Sequence, residues 1–272
     1  MNPAYVHGYS SREAIRLADQ AKTLTGILHH DTIFSPGSRI LEAGCGTGSQ
    51  TIIIAGQNPD CTFLSIDISP SSLAMARERI ASSQEIPASQ ITFQEADIHA
   101  LTYEDQTFDH IFICFVLEHL ESPGKALTEL RRVLKPDGTI TVIEGDHGSV
   151  FFSPPSEAAM HAISSQIELQ RRAGGDACIG RRLYPLLTQA GYSGVQVSPR
   201  MVYVDASRPE LADGFTKKTF TAMIEGVKEE AVRSGLISAE QFHSGVRDLL
   251  RTCEPDGTFC YTFFKATGVK FQ

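Results

Sequence analysis

The 272-residue chain contains no tryptophan, and its six cysteines form no C-x-x-C pair. Cysteines spread in this way give no disulfide framework, so free thiols in a reducing compartment are expected. No run of 18 apolar residues is present, which argues against a helix that spans a membrane. The N-terminal residues show no basic stretch followed by an apolar core, so no signal peptide is expected. Together these absences predict a cytoplasmic protein without a membrane partner.

Positive charge is also scarce, because 24 Lys and Arg stand against 32 Asp and Glu and give a formal net charge of −8. Binding to nucleic-acid phosphates requires clustered basic side chains, so we expect no nucleic-acid partner. Arg171-Arg172 and Arg181-Arg182 are the candidates for a local basic patch. The hydrophobic content of 42% and charged content of 21% are typical of a globular protein. The length suits one large domain or two small ones.

A glycine-rich turn after a short apolar segment is the most informative feature of the sequence. The segment Arg39–Ala43 predicts a strand, and glycines follow it at positions 44, 46 and 48. Glycine lets the backbone turn sharply and lie close to a ligand, because no Cβ stands in the way. Residues 49–55 then predict a helix whose free N–H groups face the turn. A strand, a glycine turn and a helix N-terminus together indicate a nucleotide-binding corner.

The glycine spacing distinguishes between nucleotides. The dinucleotide fingerprint requires its third glycine at position 49, which is Ser49, and a P-loop requires a lysine that is absent here. The run Glu42–Gly48 instead resembles motif I of the class I S-adenosylmethionine (SAM) dependent methyltransferases, E/D-x-G-x-G-x-G, at every fixed position. Among them, the chain resembles the small-molecule, UbiE-like type.

Later segments follow the order of this family. Asp67 directly follows a predicted second strand, 62–66, and an acid there can accept hydrogen bonds from a ribose diol. Ser69 and Pro70 then predict the N-cap and the first turn of a helix. The remaining segments are a third strand at 91–93, a fourth at 108–115, a turn at 134–139 and a fifth strand at 140–144.

The resemblance implies SAM as cofactor, with S-adenosylhomocysteine as product. The residues that it assigns to cofactor binding are Tyr9, Glu42, Gly44, Cys45, Gly46, Asp67, Ile68, Ala96, Asp97, Ile98 and Phe115. Asp67 is expected at the ribose hydroxyls, Asp97 at the adenine amino group and Phe115 at the methionine end. Alternatives stay open: Glu42 or Asp67 as a helix cap, Phe115 as a core residue and Tyr9 as a surface tyrosine.

The resemblance also implies the fold, a Rossmann-like seven-stranded, mostly parallel sheet with helices on both faces. Residues 1–37 are expected to form an N-terminal helical cap over the cofactor, with a helix at 11–29. Residues 38–204 and 258–272 form the SAM-binding core. Residues 205–257 form a helical insertion between the last two strands, in which Ser238 and Gln241 predict a capping box. We interpret this insertion as a substrate lid, with a stabilising decoration or a dimer interface as the alternatives.

The sequence contains fewer motifs that identify residues near the methyl acceptor. The segment Glu144–Gly148 is predicted to be a loop after the fifth strand, at the rim of the sheet. His147 in it is the candidate general base, since its ordinary pKa lies near neutrality. Glu144 or Asp146 is a candidate to orient it or to bind an acceptor amine; the alternative is a polar loop that binds nothing.

Other polar side chains have less specific patterns. His119 is expected to pack or to lie on the cofactor side. Core positions are expected for Tyr184, Tyr203 and Tyr261, with a pocket position as the alternative. His29-His30-Asp31 is interpreted as a helix end rather than a metal site, because no third ligand stands at a telling spacing.

The sequence therefore predicts a SAM-dependent methyltransferase, monomeric or homodimeric, that methylates an O, N or C atom of a small molecule without a metal. Two alternatives remain: a protein or peptide methyltransferase and a SAM-binding module without catalysis. A dehydrogenase is disfavoured by the position of Gly48.

Overall fold

Seven strands form one sheet, in the order β3-β2-β1-β4-β5-β7-β6, in the computed structural model, which describes residues 11–83 and 86–271. The strands are β1 Arg39–Ala43, β2 Thr62–Asp67, β3 Ile91–Glu95, β4 Phe108–Cys114, β5 Leu134–Ser153, β6 Ser193–Val204 and β7 Thr258–Val269. Strands β1 to β5 pair in parallel, and β7 runs antiparallel to both β5 and β6. The predicted mostly parallel sheet is confirmed.

Helices cover both faces of this sheet. They are α1 Ser11–Leu28, α2 Thr51–Gln57, α3 Pro70–Ala81, α4 Pro123–Val133, α5 Glu157–Arg172 and α6 Leu183–Gln189. Short 3-10 helices lie at Ala88–Gln90, Leu117–His119 and Ile179–Arg182. Ser69 caps α3 as predicted, because its hydroxyl accepts from the Ser72 N–H.

The central strand β4 shows why two cores form. Side chains alternate across a strand, so Ile111 and Ile113 pack with the α4 side while Phe112 and Cys114 pack with the α1 and α5 side. All four are nearly or fully buried. A strand that is apolar on both faces is typical of a parallel sheet covered by helices on both sides.

The segment between β6 and β7 is wholly helical apart from its connections. It comprises α7 Pro209–Leu211, a π-helix Ala212–Thr221, α8 Ala222–Gly226, α9 Lys228–Arg233 and α10 Ala239–Arg251. Two glycines let it dock closely, since a Cβ at Gly214 would collide with Thr23 of α1 and one at Gly245 with the carbonyl of Ala158 in α5. The insertion is therefore packed against both α1 and α5.

Strand β5 differs from the prediction at both ends. The predicted turn at 134–139 is an irregularity inside the strand, where Phe108 pairs with Leu134 but His110 pairs with Thr139. The predicted loop at 144–148 is also wrong, because β5 pairs with β7 through Asp146 and resumes pairing at Phe151. The partner strand β7, more than 100 residues away in sequence, supplies the hydrogen bonds that turn this loop into a bulged strand.

Within the part of the chain that the structure describes, no helix is long and apolar enough to cross a membrane.

The capping box of α10 gives a test of how the insertion is held. Gln241 donates its N–H to the Ser238 hydroxyl at 3.1 Å, and the Ser238 N–H donates to Gln241 Oε1 at 3.3 Å. Ser238→Ala should lower the free energy of unfolding by about 1 kcal/mol, because it leaves a helix N-terminal N–H without its cap. Urea unfolding measures this change. Ser164→Ala, on the exposed face of α5, is the control and should be nearly neutral; equal effects of the two substitutions would contradict the prediction.

Candidate active site

A cavity of about 850 Å³ lies at the carboxyl ends of β1, β2 and β4. This edge is where open parallel sheets bind ligands. The predicted cofactor residues that line it are Gly44, Cys45, Gly46, Asp67, Ile68, Ala96, Asp97, Ile98 and Phe115. Glu42 lies behind the wall, and Tyr9 falls outside the described residues.

The glycine turn after β1 takes a backbone shape that favours glycine. Gly44, Gly46 and Gly48 have φ values of +77°, +52° and +75°. A Cβ at Gly44 would collide with Val116, and one at Gly48 would lie 3.1 Å from Ala76 Cα. A Cβ at Gly46 would meet nothing within 4 Å, because Gly46 faces the cavity. Two of the glycines thus permit close packing, and the third leaves space open to a ligand.

Asp67 braces this turn from the neighbouring strand. Its Oδ2 accepts from the Gly46 N–H at 2.8 Å, and its Oδ1 accepts from the Ser69 N–H at 2.9 Å. Burial raises the pKa of the Asp67 carboxyl, and these N–H groups oppose the shift. Each carboxylate oxygen keeps a lone pair for a further donor from the cavity.

Glu42 supports the same corner from inside the protein. Its side chain is 2% exposed, and Ser65 donates its hydroxyl hydrogen to Glu42 Oε2 at 2.6 Å. Burial raises the pKa of Glu42 to about 7. The position suits a residue that fixes the turn rather than one that touches a ligand.

The end of the cavity at Ile68 and Asp97 is more open. Ile68 is 40% exposed and Asp97 is also accessible to solvent. The Asp97 carboxylate accepts the His99 N–H at 2.9 Å. An exposed isoleucine and an accessible carboxylate leave both apolar surface and acceptor capacity for a ligand here.

Phe115 directly follows β4 and has an unusual backbone conformation, with φ +59°. A non-glycine residue with positive φ is sparsely populated and occurs often at functional sites. Its N–H donates to the Ile143 carbonyl at 2.9 Å, and its ring lies 5.4 Å from that of Phe263. Phe115 therefore both packs on the core and lines the cavity.

Glu144 does not line the cavity, although the sequence made it a catalytic candidate. Its Oε1 accepts from the N–H groups of Val116 at 3.0 Å and Leu117 at 2.7 Å. Burial, with Glu118 nearby, raises the pKa of the fully buried Glu144 carboxyl well above its usual range. The geometry favours a role in holding the turn after β4, because two backbone N–H groups of that turn already donate to Oε1.

His147 does reach the cavity, because the bulge in β5 carries it there. Its Nδ1 lies 2.7 Å from the hydroxyl of Tyr261, and the backbone N–H of His147 donates to the Ala177 carbonyl at 2.9 Å. Burial lowers the pKa of His147, which keeps the imidazole neutral. Bulges commonly redirect a side chain toward an active site.

Asp146 points away from His147, so the expectation that it orients the imidazole is wrong. Its two carboxylate oxygens pair with Arg181, each at 2.7 Å. Adjacent residues of a strand face opposite sides, which separates the two side chains. Arg182 pairs with Asp176, and both Arg171 and Arg172 pair with Glu168, so acids offset both candidate basic patches.

The three candidate tyrosines have different positions. Tyr261 is 1% exposed and lines the cavity, whereas Tyr184 and Tyr203 lie at the surface, at 56% and 37% exposure. The expected core position is therefore wrong for the latter two. Both lie on faces that the tertiary structure leaves open to solvent, which local apolar patterning does not reveal.

Several cavity residues carry no local motif in the sequence. They are Arg16, Leu17 and Gln20 of α1, Phe215, Thr219, Phe220 and Met223 of the insertion, and Glu118 and Gln170. Gln170 donates to Glu118 Oε2 at 3.1 Å. Helical periodicity predicts that apolar members of this set are buried, but not that they surround a ligand space.

The segment His29–Asp31 directly follows α1. His29 is fully buried, with its Nε2 2.8 Å from Gln50 Oε1, and burial lowers its pKa to about 4. Asp31 pairs with Lys265 at 2.6 Å. Across residues 11–83 and 86–271, no three His, Cys, Asp or Glu side chains are placed to hold a metal ion together.

The sheet order, the glycine turn and the carboxylate after β2 together define the class I SAM-dependent methyltransferase fold. Residues 34–191 match a family model described as a methyltransferase domain. Since this match covers more than half of the chain, the protein belongs to that methyltransferase family.

Curated proteins are similar to this chain over alignments of different lengths. A demethylmenaquinone methyltransferase from Symbiobacterium thermophilum is 36% identical over 114 residues, which cover 42% of this chain and 45% of that protein. A 27-O-demethylrifamycin SV methyltransferase from Amycolatopsis mediterranei is 26% identical over 239 residues, which cover 87% of this chain and 79% of that protein. The matches to the first curated relatives span only 43% to 61% of those proteins' own length.

A solved phosphoethanolamine N-methyltransferase from Haemonchus contortus, in complex with S-adenosylhomocysteine, superposes with a TM-score of 0.56. The superposition covers 93% of this chain and 53% of that chain at 19% identity. At this identity the likeness concerns the fold alone.

Glu42 should make stability depend on pH. Its pKa rises from 4.5 in the unfolded chain to about 7 in the folded protein, so the folded state binds more protons between these values. Its contribution therefore favours folding below about pH 4.5 and is lost as the pH rises through about 7, by up to about 3 kcal/mol.

Glu42→Gln should remove this loss. Urea unfolding at about pH 5 and about pH 8 compares the two proteins, and the stability of wild type should fall more steeply than that of the variant. Parallel pH dependences would show that Glu42 does not hold a proton in the folded state.

Proposed function

We propose that this protein transfers a methyl group from SAM to an O, N or C atom of an apolar small molecule, without a metal. The observation that carries the proposal is the continuity of one cavity. It runs from the glycine turn and Asp67 past Phe115 to His147, under side chains of the insertion. Cofactor and acceptor would therefore meet inside a single cavity.

The cofactor half fits SAM. Gly46 leaves room for the methionine portion, and the remaining lone pairs of Asp67 would accept the ribose hydroxyls. Ile68 would lie beside the adenine, flanked by Ala96 and Ile98, with Asp97 at its amino group. When bound, SAM supplies an electrophilic methyl group on a positively charged sulfur. The protein's part is to hold the acceptor in line with that group and to exclude water.

The acceptor half is lined by aromatic side chains. Phe263 lies on β7 and Phe115 directly follows β4, while Phe215 and Phe220 come from the insertion. The Phe220 ring lies 5.5 Å from that of Tyr261, and the Phe215 ring lies 5.8 Å from that of Phe263. Such a wall would bury a flat apolar acceptor and keep water from the reacting atoms.

This arrangement supports the insertion, residues 205–257, as a substrate lid. It also supports residues 1–37 as a cap over the cofactor, since Arg16, Leu17 and Gln20 of α1 line the same space. A π-helix in the insertion carries Phe215, Thr219 and Phe220 to the cavity, and π-helical segments frequently occur at functional sites.

A small molecule suits the cavity better than a protein side chain. Volumes of this order are typical of small-molecule sites. The names of two relatives, which specify demethylmenaquinone and 27-O-demethylrifamycin SV, support a small acceptor. Methyl transfer that persists in EDTA would support the metal-independent form of the proposal, and its loss would contradict it. Transfer to peptides but not to metabolites would favour the protein-methyltransferase alternative.

Calorimetric titration tests the cofactor. The protein should bind SAM and S-adenosylhomocysteine, but not NAD. Asp67→Ala should weaken the binding of both by roughly 1.5–3 kcal/mol per lost hydrogen bond to the carboxylate. Asp60→Ala, at an exposed site outside the cavity, is the control and should leave affinity unchanged. Unchanged affinity in a folded Asp67 variant would remove Asp67 from the ribose site.

A second prediction concerns the lid. Phe220→Leu keeps an apolar side chain but removes the ring contacts with His147 and Tyr261. Methyl transfer, measured as S-adenosylhomocysteine release over a panel of phenols, amines and enolisable ketones, should fall roughly tenfold, since the acceptor loses its packing surface. SAM affinity should not change. Leu250→Ala, at an exposed position on α10, is the control. Equal methyl transfer by the two variants would show that the insertion stabilises the fold without contacting the acceptor.

A further inference from the structure

Tyr261 and His147 form a buried pair at the acceptor end of the cavity. The phenol is 1% exposed, and its hydroxyl lies 2.7 Å from His147 Nδ1. A buried tyrosine hydroxyl needs an acceptor for its proton. Among the described residues, His147 Nδ1 is the acceptor that the geometry provides.

The direction of this hydrogen bond fixes the imidazole tautomer. When Nδ1 of a neutral histidine accepts, Nε2 carries the hydrogen. The His147 ring lines the cavity, and within residues 11–83 and 86–271 no hydrogen bond joins its Nε2 to the protein. An N–H donor therefore faces the ligand space.

The surroundings keep the pair neutral. Burial raises the pKa of Tyr261 well above its usual range and lowers that of His147. Glu118 and Asp146 favour the charged imidazole, while Arg16 and His119 oppose it. Because burial is the largest influence on the His147 pKa, the imidazole stays uncharged near neutral pH.

Gly145 makes room for the pair. A Cβ at this position would overlap the Tyr261 hydroxyl and would lie 3.8 Å from His147 Cε1. Glycine in a strand interior often marks a place where another group approaches closely. The sequence Gly145-Asp146-His147 thus gives the phenol its position and delivers the imidazole to the cavity.

We infer that His147, held by Tyr261 as a neutral Nε2–H donor, binds an oxygen of the methyl acceptor. This inference rests on the proposed function. It implies that the acceptor is an apolar, flat compound with a phenolate, enolate or carbonyl oxygen. Tyr261 is then a positioning residue. The role of His147 changes from the base expected from the sequence to a hydrogen-bond donor, because an Nε2 that carries hydrogen cannot take up the acceptor's proton.

The chemistry balances without a proton acceptor on the protein. A phenolate or enolate enters already ionised, having released its proton to solvent. Its electron pair forms the new bond to the methyl carbon, while the carbon–sulfur bond breaks and its pair goes to sulfur. The Nε2–H group keeps its hydrogen throughout and stabilises the ionised acceptor in the cavity.

Nitrogen NMR of the protein labelled with ¹⁵N-histidine tests the tautomer directly. The protein has nine histidines, and the signals of His147 are identified as those missing from the spectrum of His147→Gln. We expect His147 to show a protonated Nε2 and an unprotonated Nδ1 from about pH 7 to about pH 9. A proton on Nδ1 in the wild-type protein would overturn the inference, whatever the variants do.

Binding of 4-nitrophenolate, compared with nitrobenzene, tests the ligand class. In the presence of S-adenosylhomocysteine, wild type should bind the phenolate roughly tenfold more tightly, the value expected for one hydrogen bond to a charged oxygen. Tyr261→Phe should abolish this preference, and Gly145→Ala should do the same by displacing the phenol. Gly56→Ala, where a Cβ meets nothing within 4 Å, should retain it.

Equal binding of the two probes by wild type, or a preference that survives in Tyr261→Phe, would overturn the inference. Failure of the proposed function has a different signature. Loss of SAM binding in calorimetry would contradict the methyltransferase proposal, whereas the tautomer of His147 is measured without any ligand.

Discussion

The attachment of the glycine turn to the end of β2 is the constraint on which the site depends. The N–H groups of Gly44 and Cys45 both donate to the Ile66 carbonyl, at 2.8 and 2.9 Å, and Asp67 accepts the N–H of Gly46. These bonds bring the ends of two neighbouring strands to one point. A Cβ at Gly44 would collide with Val116. Glycine at this position therefore determines both the backbone conformation of the turn and the shape of the site.

Two buried carboxyl groups extend this arrangement below the cavity. Glu42 lies behind the turn after β1, and Glu144 holds the turn after β4 through the N–H groups of Val116 and Leu117. Burial disfavours the ionised form of each, which raises both pKa values. Both carboxyl groups act from inside the protein through hydrogen bonds, Glu42 to Ser65 and Glu144 to the backbone after β4.

Much of the fold was predictable because local signals agreed with the tertiary structure. The bounds of β1 and the caps at Ser69 and Ser238 rest on short-range patterns. The prediction was wrong where distant segments decide the outcome. The segment at 144–148 has the glycines of a loop, yet pairing with β7 makes it a bulged strand. Asp146 has the sequence position of a partner for His147, yet the strand's alternation turns it to Arg181.

The sequence by itself determined the family resemblance, the class of fold that it implies and the existence of an insertion, because glycine spacing, the alternation of strand and helix segments and helical periodicity are local properties of the chain. Only the tertiary structure decided what surrounds the acceptor space. Phe220 and Tyr261 lie on elements far apart in sequence, and Tyr261 meets His147 across 114 positions. Contacts between distant residues follow from how helices and strands pack, and no residue pattern within one segment records them.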